Sequence, residues 1–160
     1  MTLRYFDSGI GGANDCLGRW LDDELVDGIR EFRGQFGFFD VSALRKYLPT
    51  LQGMVDNGGT FRLVIGANNG DPASTTDVNA LLPLVTGGGD ARLALVALSN
   101  ALFHPKTLHL VRADDSAVGV VGSANLTGKG LGHNVEAGIV IEASDANHDA
   151  LTAIAAAIDY

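Results

Sequence analysis

Apolar positions along the chain fall into two periods. Leu17, Trp20, Leu21 and Leu25 recur at helical spacing within residues 16–26, with Asp15 placed to cap the segment. Leu44, Tyr47, Leu48, Leu51 and Val55 repeat that spacing across 42–55, where Pro49 predicts a kink or a division into two short helices. Residues 75–85 and 145–158 are the remaining helical stretches, the last with Leu151, Ile154 and Ile158 on one face. Between them lie apolar runs of strand type at 29–39, 60–66, 91–98 and 135–141. Phe32, Phe36, Phe38 and Phe39 of the first run are assigned to the core rather than to a stacking platform. Residues 1–15 are rich in glycine and show no clear period. Turn residues at 56–59, 68–74 and 87–89 separate the elements.

The stretch 103–142 reads differently. Ala113-Asp114-Asp115-Ser116 is a turn between two apolar runs and predicts a β-hairpin. With Asp114 and Asp115 at its tip, His104 faces Asn125 and Lys106 faces Ser123. Residues two apart on a strand share a face, so His104 with Lys106, Ser123 with Asn125, and Asn134 with Glu136 project as pairs. Strands alternating with helices, then a hairpin, give an α/β fold, a mixed β-sheet flanked by helices on both faces. No internal repeat is visible.

Composition narrows the class. The 160 residues, 46% hydrophobic, suit a single domain over 1–160 with a real core. No apolar run is long enough to span a membrane, and the N-terminus lacks the pattern of a secretory signal. Cys16 is alone, which excludes a disulfide framework and points to the cytoplasm. A net charge of −8 argues against a broad electrostatic grip on DNA. Lys106, Arg112 and Lys129 lie in or near the 103–142 stretch, so the local field there departs from the net charge. A DNA-binding segment following Tyr160 in a longer protein is a further expectation.

The polar residues of that stretch have a coherent chemistry. A histidine is a nucleophile or general acid near neutral pH, and a lysine and an asparagine supply donors to developing negative charge. A serine hydroxyl bonds either group, and a carboxylate orients an imidazole. No cysteine cluster or HExxH accompanies them, so neither a metal nor a cofactor is called for. The set suits attack on a phosphodiester. His109 falls off the His104 face and is read as structural, His133 and His148 as solvated. Gly128-Lys129-Gly130 lacks the other residues of a P-loop, and Asp114 with Asp115 reads as a solvated turn rather than a metal pair.

His104-x-Lys106 followed by Gly122-Ser123-x-Asn125 resembles the HKD motif of the phospholipase D superfamily. The longer form, FHPK…VGSANLT…GL..N.E, is similar to the branch holding metal-independent restriction endonucleases and the PLD-like modules of DNA helicases. The chain carries one copy, and Val111 stands where the family pattern has an aspartate. The resemblance implies a phospholipase D-like nuclease fold and a metal-independent phosphodiesterase acting on DNA through a phosphohistidine. It implies His104 as nucleophile, Lys106 and Asn125 on the non-bridging phosphate oxygens, Ser123 as a supporting hydrogen bonder and Glu136 as the group that orients His104. That route uses two histidines, so a symmetric homodimer with a shared site follows, with a C-terminal DNA-binding or helicase domain as a further partner. The alternatives are a phospholipase D-type or other phosphodiester hydrolase, and a non-catalytic module that kept the fold. No membrane-binding amphipathic stretch is visible.

Overall fold

Along the chain run β1 (Leu3–Asp7), α1 (Ser8–Gly11), α2 (Leu17–Leu25), β2 (Ile29–Phe36), α3 (Leu48–Asp56), β3 (Thr60–Gly66) and α4 (Thr75–Thr86). They are followed by β4 (Asp90–Val96), β5 (Lys106–Arg112), β6 (Ala117–Gly122), α5 (Gly128–Gly132), β7 (Ala137–Glu142) and α6 (His148–Ile158). These come from a computed structural model that describes residues 3–67, 73–87 and 89–159. Among the described residues the strands form one seven-stranded sheet in the order β1-β7-β6-β5-β2-β3-β4. β2, β3 and β4 are parallel, and every other neighbouring pair is antiparallel.

Alternation decides which face each side chain joins. Phe32, Phe36, Phe61, Leu63, Ile65, Leu108, Leu110, Val118 and Val120 are buried on one face, under Leu17, Trp20 and Leu21 of α2, Leu51 and Val55 of α3, and Leu81 and Leu84 of α4. Phe32 and Phe61 stack there with ring centroids 5.5 Å apart. The opposite face takes α6. Gly119 leaves it room: a Cβ at that position would lie 2.9 Å from Leu151 Cδ2. Arg33 and Arg62 reach Asp159 at 3.0 and 3.7 Å and fasten the C-terminus of α6 to the sheet. On the first face Arg112 ties β5 to Glu24 of α2 and Glu142 of β7, at 2.6 and 3.0 Å.

The α/β class, the mixed sheet and the helices on both faces agree with the sequence expectation; several details do not. β1 is an edge strand inside the glycine-rich N-terminus. Only Phe6 of its five residues is buried, so it leaves no alternating signature. Cys16, not Asp15, caps α2, its Sγ accepting from Arg19 N–H at 3.4 Å. Asp15 instead accepts from Asp7 N–H at 3.0 Å. The 42–55 stretch does divide in two, as expected, into a 3₁₀ turn at Val41–Ala43 and α3, but Pro49 stands in the first turn of α3, where a missing N–H costs no hydrogen bond, and not at the break. β2 and β4 end at Phe36 and Val96, and β7 begins at Ala137. The expected loop at 68–74 lies for residues 68–72 outside the described residues, as does Gly88 of the glycine run.

The hairpin register also differs. Arg112 N–H donates to Ser116 O at 2.9 Å and Asp115 N–H to Arg112 O at 3.1 Å, with Asp115 in the left-handed region at φ 68°. The connection therefore has three residues, a turn closed by one left-handed residue, and not the two-residue tip read from the sequence. The odd count shifts the pairing by one: Thr107 faces Val121 and Leu108 faces Val120. His104 with Asn125 and Lys106 with Ser123 are not cross-strand partners. They meet by another route.

Candidate active site

The C-termini of the parallel strands β2, β3 and β4 lie at one end of the sheet, with the end of β6 and the starts of β5 and β7. That end, outside the carboxyl ends of parallel strands, is where open α/β sheets place ligands. The chain leaves edge strand β4 and crosses above β3 and β2 to begin β5. His104 rides on this crossing. Gly37 N–H, just beyond β2, donates to Pro105 O at 3.0 Å. The absence of a side chain on Gly37 lets the crossing sit close, since a Cβ there would lie 2.6 Å from His104 Cδ2 and 3.0 Å from its Cα. Phe38 then meets the imidazole edge to face, with centroids 5.5 Å apart.

Lys106 opens β5. Its Nζ lies 2.9 Å from Nδ1 and 3.0 Å from Nε2 of His104, and donates to His104 O at 3.1 Å. Burial pulls the Lys106 pKa below its ordinary value, and the negative charge of Glu136 opposes that shift. His104 is exposed and Lys106 is half-buried, so the pair forms the floor of an open site.

Ser123 and Asn125 follow β6. Ser123 N–H donates to Ala137 O at 2.9 Å, its Oγ accepts from Ala137 N–H at 3.1 Å, and the same hydroxyl donates to the Glu136 carboxylate. Asn134 Nδ2 donates to the other oxygen of Glu136 at 3.2 Å. Asn125 Oδ1 accepts from Phe38 N–H at 3.2 Å, which fixes the amide and leaves its Nδ2 donors for a ligand. α5 presses on the backbone of this segment: a Cβ at Gly130 would lie 2.3 Å from Asn125 O. Asp40 accepts from Gly128 N–H at 3.2 Å, and Asp40 N–H donates to Leu126 O at 3.1 Å, so the loop after β2 is stitched to the loop after β6.

All five residues expected from the sequence thus stand at one end of the sheet. One expected contact is replaced. Glu136 bonds Ser123 and Asn134 and acts on Lys106 through its charge, while His104 is met by Lys106. Three residues of the site carried no sequence signal. Ser8 holds the Glu136 backbone from the end of β1: its Oγ accepts from Glu136 N–H at 2.8 Å and its N–H donates to Glu136 O at 2.9 Å. Gly37 and Phe38 are the others, hidden in a phenylalanine-rich run that reads as core. His109 is buried on the opposite face, as expected of a structural residue, and burial first, then Arg33, lowers its pKa. His133 and His148 are exposed. Among the described residues no group of three or more His, Cys, Asp and Glu is placed to hold a metal ion, and no helix is long and apolar enough to cross a membrane.

Residues 35–156 match the family model described as "Cardiolipin synthase, PLD-like domain". Among solved structures, NucT from Helicobacter pylori superposes with a TM-score of 0.61 at 13% identity, covering 96% of this chain and 92% of that one. Nuc from Salmonella typhimurium, a phospholipase D family member, gives a TM-score of 0.57 at 17% identity over 98% of this chain and 93% of that one. A mutant of yeast tyrosyl-DNA phosphodiesterase 1 gives 0.54 at 12% identity, covering 87% of this chain and 32% of that one. At these identities the structural likeness is one of fold. A comparison with curated protein sequences finds no significant match.

Proposed function

The chain belongs to the PLD-like domain family, and from that premise we propose that it is a metal-independent phosphodiesterase acting on DNA, with His104 as nucleophile. The observation that carries this reading is the contact of His104 with Lys106 at the ligand-binding end of the sheet, beside an Asn125 amide already turned by Phe38. Lys106 and Asn125 bind the non-bridging oxygens of the phosphate and stabilise the charge that builds there. Ser123 supports them by a hydrogen bond. Glu136 holds Ser123 in place, and its charge opposes the lowering of the Lys106 pKa by burial. Attack of the imidazole on phosphorus forms a P–N bond and expels the leaving oxygen, which takes a proton from a second imidazole. That imidazole, now neutral, activates the water that cleaves the P–N bond.

Each chain supplies one such motif, so the second histidine is His104 of a second copy, placed across a two-fold axis. A surface for that copy adjoins the site. Tyr5, Ile139 and Val121 are neighbours across β1, β7 and β6 on the α6 side of the sheet, at the end that α6 leaves bare, and are 61%, 44% and 43% exposed. Burying this row against its symmetry mate would exclude water from the site and strengthen its phosphate contacts. DNA as substrate draws support from the name of the tyrosyl-DNA phosphodiesterase that shares the fold. The family description favours a lipid diester as the second reading. Hydrolysis of bis(p-nitrophenyl) phosphate, DNA and phospholipid vesicles in excess EDTA separates them. The account expects turnover of the first two, abolished by His104→Ala; activity that returns only with added Mg²⁺ would contradict it.

A further inference from the structure

Beside the proposed catalytic residues lies an open depression of about 590 Å³ lined by Asp40, Ser42, Gly128, Lys129, His133 and Asn134. Asn134 belongs to both places, since its side chain bonds Glu136 in the site. Among the described residues, seven of the eleven Lys and Arg side chains pair with a carboxylate. Lys106 and Lys129 are two of the four that do not, and both stand at this end of the molecule. In a chain of net charge −8, two lysines without a carboxylate contact at one end give an incoming anion a local field to meet. His133 adds to the depression. Its Nδ1 donates to Gly128 O at 3.2 Å, which fixes the ring at the rim. The one carboxylate in the lining, Asp40, is occupied by Ser42 N–H at 3.0 Å, the Ser42 hydroxyl and Gly128 N–H at 3.2 Å.

We propose that this depression is a second anion subsite of the cleft, in which Lys129 receives the phosphate neighbouring the scissile one on a nucleic-acid strand. The inference rests on the diesterase reading for its scissile phosphate and adds the substrate class. A lipid with a single phosphate has no group to place there, whereas a nucleic-acid strand repeats its phosphates at a fixed spacing. Asn134, between the two phosphates, then couples occupancy of the subsite to the Ser123–Glu136 side of the catalytic site.

The test compares wild type, Lys129→Ala and Lys129→Arg on a short oligonucleotide and on bis(p-nitrophenyl) phosphate. Lys129→Ala is expected to lower the ratio of kcat/KM, oligonucleotide over small diester, by about tenfold, with Lys129→Arg restoring most of it. Fluorescence anisotropy of the labelled oligonucleotide, titrated with salt, gives a readout free of catalysis. Loss of one phosphate contact should reduce the slope of log K against log salt by about 0.7–0.9. Equal losses on both substrates, or an unchanged slope, would overturn the subsite. A wild type inert on both substrates refutes the diesterase reading, and the anisotropy slope then decides the subsite alone.

Discussion

A Cβ at Gly37 would lie 2.6 Å from the imidazole it faces, so His104 is located by a side chain that is missing. Gly37→Ala must displace His104 or the crossing that carries it. Misplacement of a reacting group by about 1 Å costs on the order of a hundredfold. The variant should therefore lose between about ten- and a hundredfold in kcat/KM, with an unchanged circular dichroism spectrum. Lys106 makes a second prediction at this scale. Burial lowers its pKa, so its ammonium is lost at lower pH than that of an ordinary lysine, and the alkaline limb of kcat/KM falls early. Glu136 acts in the opposite direction. Glu136→Gln should move that limb to still lower pH, read from the full pH profile; a shift to higher pH would show that the carboxylate does not act on Lys106. His104, Lys106, Ser123, Asn125 and Glu136 were picked out by their resemblance to the HKD motif, and the fold brings them to one end of the sheet although the strand pairing expected for them does not hold. Ser8 and Gly37 were not legible, because each works through its backbone or a single hydroxyl in a stretch with no period.

At the scale of elements, the apolar runs located every strand but β1, whose exposed edge leaves only Phe6 to be buried. Hairpin register was not legible from them, since one left-handed residue in the connection, Asp115, moves every pair by one. The grouping at the candidate site survives that shift because His104 and Asn125 lie beyond the ladder, where the crossing to β5 and the loops after β2 and β6 position them. The hairpin tip is at the opposite end of the sheet from the site. Asp115→Val places a β-branched residue at positive φ and removes the ion pair with Arg30, and should cost about 1–2 kcal/mol. Urea denaturation should show the lower midpoint while turnover per folded molecule stays at the wild-type value. A parallel loss of turnover would mean that strand register reaches the site after all.

For the whole molecule, the pairing of β5 with β2 and of β1 with β7 joins segments distant in sequence, and no local pattern announces such neighbours. Composition misleads about charge in the same way. The net value of −8 hides that most arginines are spent on internal ion pairs, while Lys106 and Lys129 are left at the working end. The proposed mechanism calls for a second imidazole at the leaving oxygen, and on that proposal the bare row Tyr5–Ile139–Val121 beside the site is where another copy would bring it. The measurement that tests this most directly is the diesterase rate, in excess EDTA, of mixtures in which wild-type and His104→Ala chains are allowed to exchange at fixed total concentration. Shared sites predict a rate that falls as the square of the wild-type fraction, because only dimers with two wild-type chains hold both histidines. A rate that falls in direct proportion to that fraction, or no rate for pure wild type, would contradict the account.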